Sequence, residues 1–281
     1  MEVGYFNFTN NTCNESILPK MKDLKNILIP LGNLQKTTLY ILLTGEIILG
    51  LLAWQLGGGG LLPTPVKVLG SMSSILSDTN FYENFFSTLG LVLQAMGISI
   101  VIAMMLSYLY LIPLFAPITR FVMKCRYLTI TGLFFLFTLL TSNGHSLKIS
   151  LLIFGIVPFF VTSLVSIIRD INTQEFDLCK SLRMNNWQAW WEVIILGRLD
   201  QVFEVMRQNF AISWIMITTV EGLNMSEGGL GTMLIKSNKY LDLSKVFGIL
   251  VVIFLIGVLA DYLLALLRTW FFPYTRFNVR S

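Results

Sequence analysis

Few side chains in this 281-residue sequence are of types that perform chemistry, and none is grouped for it. The single histidine, His145, stands in the tight turn Ser142-Asn143-Gly144-His145-Ser146 with no metal-ligating neighbours, so it reads as solvated. Cys13, Cys125 and Cys179 have no ligand spacing, and an odd count argues against a disulfide framework. Gly57-Gly58-Gly59-Gly60 is followed by neither Gly-Lys-Ser nor Gly-Lys-Thr, which makes it a turn rather than a phosphate cradle. Three carboxylates interrupt apolar runs. Glu46 lies mid-run, where a charge is costly and marks either a functional group or a neutral, hydrogen-bonded packing contact. Glu221 stands near the end of its run, in a place suited to capping or to gating. Asp261, seven residues before Arg268, is expected to snorkel to an interface. Neutral polar residues recur on single helical faces: Thr162 with Ser166 and Asn209 with Ser213, four apart, and Thr218 and Thr219 further along. With Glu46 and Glu221, the residues Thr162, Ser166, Asn209, Ser213 and Thr218 are candidates to line a solute path, although such residues also glue helices together in membranes.

The elements that hold these residues are long and apolar. Only 13% of the chain is charged, against about 25% in soluble domains. Thr38–Leu56 carries one charge, Glu46; Phe85–Ile112 and Ile149–Ile168 carry none; Val246–Leu267 carries one, Asp261. A helix needs about 20 apolar residues to cross the hydrocarbon core. Tyr127–Thr141 and Gln208–Leu223 are shorter and Thr-rich, and complete a set of six expected transmembrane helices. Only helices satisfy their own backbone within runs of this kind. The expected fold is therefore all-α and polytopic.

With the N-terminus inside, five lysines (Lys67, Lys148, Lys236, Lys239 and Lys245) fall on outer segments, and the rest of the 20 Lys and Arg fall on inner ones. The positive-inside rule thus places both termini in the cytoplasm. The net charge of +4 reflects these flanks and calls for no nucleic-acid partner. Residues 1–36 read as a polar cytoplasmic segment without a signal peptide, with an interfacial helix over Ile17–Leu31; Asn7 and Asn14 head chance glycosylation patterns. Residues 37–272 form the membrane domain and 273–281 a cytoplasmic tail. Pro63 and Pro65 end the glycine turn, Val66–Leu76 is an amphipathic helix, and Pro158 kinks the fourth span.

The stretch 169–207 is too polar to cross the membrane and too long for a simple turn. Glu175–Arg183 reads as a helix with Thr173 as N-cap, Asn185-Asn186 as a break, and Trp187–Leu196 as a second helix. Trp187, Trp190 and Trp191 make an aromatic tip flanked by Arg183 and Glu192, suited to a membrane-interface belt or to docking a cytoplasmic partner.

This stretch resembles the loop of binding-protein-dependent ABC importer permeases. That loop runs Glu-Ala-Ala, three residues, Gly, nine residues, Ile-x-Leu-Pro. Here Asp177-Leu178-Cys179, Arg183 and Val193-Ile194-Ile195-Leu196 keep its spacing. Leu62-Pro63-Thr64-Pro65, Ser181-Leu182 with Trp187-Gln188, and Glu221 with Gly229-Leu230-Gly231 are similar to the nitrate/sulfonate/taurine branch. The resemblance covers about residues 38–270. Arg183 and Leu196 depart from the loop's glycine and proline, and Asn185-Asn186 is expected to supply the turn instead.

The resemblance implies a type I importer permease, homodimeric, without a catalytic site or bound cofactor. ATP would be hydrolysed on a separate ATPase subunit, which Asp177, Lys180, Arg183, Trp187, Gln188, Trp190 and Trp191 would dock. An extracytoplasmic binding protein would deliver the solute across a bacterial inner membrane. The branch handles nitrate, sulfonates, taurine, bicarbonate and some cofactor precursors, which implies a small anionic solute, although no Lys or Arg is placed mid-span. Two alternatives stay open: a secondary carrier that uses Glu46, and a membrane scaffold whose loop recruits a cytoplasmic protein.

Overall fold

A computed structural model describes residues 36–57 and 63–273. The interfacial helix at Ile17–Leu31, Cys13, the glycosylation patterns, most of the glycine turn and most of the C-terminal tail lie outside the described residues. The chain divides into two compact units, Met1–Pro65 and Val66–Ser281.

In the first unit, α1 (Lys36–Gly57) is an apolar helix. It contains Glu46 on an exposed face.

In the second unit the helices are α2 (Pro65–Leu76), α3 (Thr79–Leu109), α4 (Ala116–Lys124), α5 (Ile130–Leu140), α6 (Gly144–Arg169), α7 (Thr173–Ser181), α8 (Asn186–Ala189), α9 (Leu199–Leu223), α10 (Leu230–Lys239) and α11 (Leu243–Phe271). No strand occurs among the described residues. Caps set several starts: the Asp78 carboxylate accepts the Asn80 N–H at 3.0 Å ahead of α3, and the Asp242 carboxylate accepts the Lys245 N–H at 3.1 Å ahead of α11.

The core centres on α6, which packs along α3 and α9. On α3 the buried residues Leu91, Val92, Ala95, Met96, Ser99, Ala103 and Ser107 recur every three or four positions and so form one stripe. Three of them are Ala or Ser near the far end, and small side chains let helix backbones approach closely. α6 answers with Leu151, Leu152, Ile156, Phe160, Val161, Leu164 and Val165, all buried. Pro158 sits inside this helix without ending it. The amphipathic α2 buries Val68 and Ile75, and Ile75 lies against Gly248 of α11.

Among the described residues, four helices are long and apolar enough to cross a membrane: Thr38–Gly57, Thr79–Leu109, Gly144–Arg169 and Leu243–Phe271. They coincide with the four long apolar runs. Of the two shorter expected spans, Tyr127–Thr141 becomes α5, only 11 residues long. At 1.5 Å per residue this is about 16 Å, half a bilayer core. It meets the preceding Ala116–Tyr127 segment at 112°, and only the bent pair together, a broken span or a re-entrant loop, is long and apolar enough to count with the four. The other, α9, has 25 residues, and polar side chains in its first half lower its hydropathy. The protein is an all-α, polytopic membrane protein.

Candidate functional site

Three clusters in the second unit gather the residues singled out by type and spacing. The first is built from 169–207. The Asn172 side chain accepts the Gln174 N–H at 3.1 Å and starts α7 one residue ahead of Thr173, the expected cap. The chain then turns at Arg183, whose φ of 54° is left-handed. That conformation is natural for glycine and costs other residues about 1–2 kcal/mol. The turn therefore stands where the resembling loop has its glycine, although the residue here is arginine. Asn185-Asn186, expected to be the turn, instead opens α8. The Asn185 N–H donates to Gln188 Oε1 at 2.8 Å, the Asn186 N–H donates to Asn185 Oδ1 at 2.7 Å, and the two side chains form a capping box. Gln188 is thus engaged within the loop.

Beyond α8 the expected continuous helix becomes a π-helical turn, Trp190–Ile195, and a 3-10 turn, Leu196–Arg198. Single π turns of this sort concentrate at functional sites. Trp190 is turned inward. Its ring meets Tyr108 edge-on with centroids 6.1 Å apart, beside a small core of Ile168, Ile171 and Ile194. This core seats the loop on the ends of α3 and α6. An Arg198–Glu175 ion pair closes it across α7. Tyr110 at the same end accepts a hydrogen bond from Arg169 at 2.6 Å. Trp187 and Trp191 remain 64% and 51% exposed, and Leu178 and Leu182 of the same loop are exposed as well. Asp177 and Lys180 pair with each other at 3.0 Å on the exposed face of α7.

The second cluster lies at the far end of α9. Glu221 and Lys148 are both fully buried. The Gly231 N–H donates to Glu221 Oε2 at 2.8 Å and the Thr88 hydroxyl donates to Glu221 Oε1 at 2.8 Å. The Leu230 N–H donates back to Thr88 Oγ1 at 2.9 Å, and the Gly229 N–H donates to Asn84 Oδ1 at 2.6 Å. Three consecutive N–H groups at the start of α10 are thus satisfied by side chains from α3 and α9. The Thr232 hydroxyl donates to the Glu221 carbonyl at 3.0 Å, and the Lys148 ammonium donates to the Gly228 carbonyl at 3.2 Å. Glycine is required at two points. Gly229 has φ 112°, and a Cβ there would collide with the Glu221 carboxylate; a Cβ on Gly231 would collide with the Thr218 carbonyl. The geometry makes Glu221 a capping group for α10.

The third cluster is ionic and sits toward the loop end of α9. Glu204 accepts from Arg207 at 2.7 Å and from Arg268 at 2.6 Å, while Arg207 reaches Asp261 at 2.9 Å. Asp261 therefore pairs across to α9 rather than snorkelling. Beside this network lies a cavity of about 390 Å³ whose lining includes Ser163, Ser166, Gln201, Glu204, Gln208 and Arg268.

Of the path candidates, only Ser166 lines this cavity. Thr162 donates to the Pro158 carbonyl at 2.7 Å, the acceptor of its own helical turn. Asn209 and Ser213 are buried; the Asn209 amide donates to the Val205 carbonyl at 2.9 Å and Ser213 to the Asn209 carbonyl at 2.7 Å. Asn209 Oδ1 is left without a hydrogen-bond partner. Thr218 donates to the Ile215 carbonyl at 2.8 Å. Glu46, on α1, belongs to the other unit. His145, read as solvated, is half exposed and lies 3.4 Å from Glu227. The α10 helix, the burial of Lys148 and the ionic network had no local signal; only the spacing of Glu221 from Gly229-Leu230-Gly231 pointed to one of them.

No curated protein matches the chain. A family model does: the binding-protein-dependent transport system inner membrane component matches residues 67–273, which covers the loop, the capping cluster and the ionic network. Most of the chain lies within that match, and the protein belongs to the family of binding-protein-dependent transport system inner membrane components.

Proposed function

We propose that the chain is the permease subunit of an ATP-driven importer, forming the path for a small solute handed over by an extracytoplasmic binding protein. Its 169–207 loop docks a cytoplasmic ATPase subunit, and hydrolysis takes place there. The observation that carries this reading is the loop's architecture. The left-handed turn is kept at Arg183 even without glycine, and the loop is anchored by its own small core while Trp187 and Trp191 are left uncovered. Large exposed aromatics on a rigid support are what a docking contact requires, because a few such residues dominate interface energy. A flexible interfacial belt would need no anchored core or capped turn.

The positive-inside distribution supports a cytoplasmic side for this loop and for both termini, at an inner membrane. The capping cluster at Glu221 then lies at the outer end. Two copies would pair around a shared path and work by alternating access, as the resemblance implies. The stretches that resemble the nitrate, sulfonate and taurine branch support placing the chain within it. A secondary carrier would instead couple an ion at a mid-span group such as Glu46.

Reconstitution tests the proposal. The chain, co-expressed with the P-loop ATPase encoded beside it, is expected to co-purify with that subunit and to change its hydrolysis rate when the cognate binding protein is added. A chain that purifies alone from such a co-expression, with transport surviving loss of the ATPase, would refute it.

A further inference from the structure

The 390 Å³ cavity beside the ionic network falls within the usual size range of small-molecule sites. It lies between α6, α9 and α11, with Ile167 and Val205 as its apolar surface. Ser166 and Gln208 at its edge are exposed, so it is open to entry. The side chains of Ser166 and Gln201 make no hydrogen bond to other described residues, so their donors and acceptors are available to a guest.

The charged side chains of the wall pair with each other, although the buried Arg268 Nε–H has no hydrogen-bond partner. Arg268 is 2.6 Å from Glu204, Glu204 is 2.7 Å from Arg207, and Arg207 is 2.9 Å from Asp261. Two guanidinium groups and two carboxylates leave the cluster neutral. An anion entering here meets the Glu204 carboxylate and must pull Arg268 away from it, while a cation meets Arg268. An uncharged molecule breaks no ion pair and finds the Ser166 hydroxyl and the Gln201 carboxamide, each able both to donate and to accept.

We propose that this cavity is a station on the translocation path that takes an uncharged, hydrogen-bonding solute in preference to an ion. The proposal rests on the permease reading and narrows its substrate class. It departs from the anionic solute that the sequence resemblance implies. Glu204 and Arg268 are its specificity-determining residues, because each cancels the field of the other.

Thiol labelling tests this in membrane vesicles holding the full chain, with Cys13, Cys125 and Cys179 replaced by Ala and either Ser166→Cys or Gln208→Cys introduced. The probes are methanethiosulfonate reagents: the neutral methyl, the anionic sulfonatoethyl and the cationic trimethylammonioethyl forms. Rates are normalised to those on a free thiol in water. At both positions the neutral reagent is expected to react about tenfold faster than either ion. Glu204→Gln should raise the anionic rate about tenfold, and Arg268→Gln the cationic rate by a similar factor. Two positions and two opposite charge changes keep the result readable if one variant fails to fold. Preference for the anionic reagent in the unaltered wall would overturn the proposal, as would rates that ignore both charge changes, which is how a lipid-facing groove behaves. Loss of the ATPase from the complex reports separately on the permease reading, so the two can fail independently.

Discussion

The Glu221 carboxylate accepts the Gly231 N–H at 2.8 Å, closing the chain on itself ten residues later. This contact and the Thr88 hydroxyl on the other oxygen hold α10 against the ends of α3 and α9. Glu221→Ala removes the acceptor from both buried donors and should lower stability by about 3 kcal/mol. Glu221→Gln keeps one acceptor oxygen and should lose about half as much. Thermal unfolding in detergent reads both; equal losses would show that the carboxylate does not cap the helix.

Gly231→Ala tests the same region by shape. The new methyl would run into the Thr218 carbonyl, a backbone atom that cannot rotate aside. We expect a loss of about 2 kcal/mol, comparable with overpacking elsewhere in well-packed cores. Unfolding of this variant at the wild-type temperature would mean that the close approach is not maintained.

The three tryptophans of the loop should separate into two roles. Trp187→Ala and Trp191→Ala are expected to weaken ATPase co-purification about tenfold with little change in thermal stability. Trp190→Ala, which empties the space against Tyr108, should instead lower stability by about 2 kcal/mol. Co-purification and unfolding measured side by side distinguish them. A uniform effect across all three would remove the distinction between contact and support.

Arg183→Gly should relieve about 1 kcal/mol of backbone strain at the left-handed turn. Arg183→Ala removes the same side chain without that relief. Limited proteolysis of the loop is expected to be slowed by the first substitution and not by the second. If both behave alike, the turn is not strained.

The long helices were legible because uninterrupted apolar runs of bilayer length have few alternative folds, as with Phe85–Ile112 and Ile149–Ile168. What escaped was set by distant partners. Asp261 looked like an interface residue because Arg207 lies 54 positions away in sequence. The burial of Lys148 against a carbonyl 80 residues on has no local signal in the sequence. The turn was assigned to Asn185-Asn186 from the intrinsic tolerance of Asn for left-handed geometry, whereas Arg183 is held in that geometry and Asn185 caps instead. Of the candidate path residues, Thr162 and Ser213 spend their hydroxyls on their own helix, whereas Gln201, Glu204 and Gln208 share one helical face of α9 but meet Arg268, 64 residues from Glu204, only in the folded chain. The spacing of the loop and of Glu221 from its glycines survived, since both depend on backbone geometry more than on side-chain identity.

Site-specific photo-crosslinking in cells tests the central claim most directly. A photoreactive amino acid replaces Trp187 in one strain and Tyr240, 84% exposed near the other end of the bundle, in another. The account predicts an adduct between position 187 and an ATP-hydrolysing cytoplasmic subunit, and none from position 240. An adduct from 240 with that subunit, or none from 187 in cells that contain it, would contradict it.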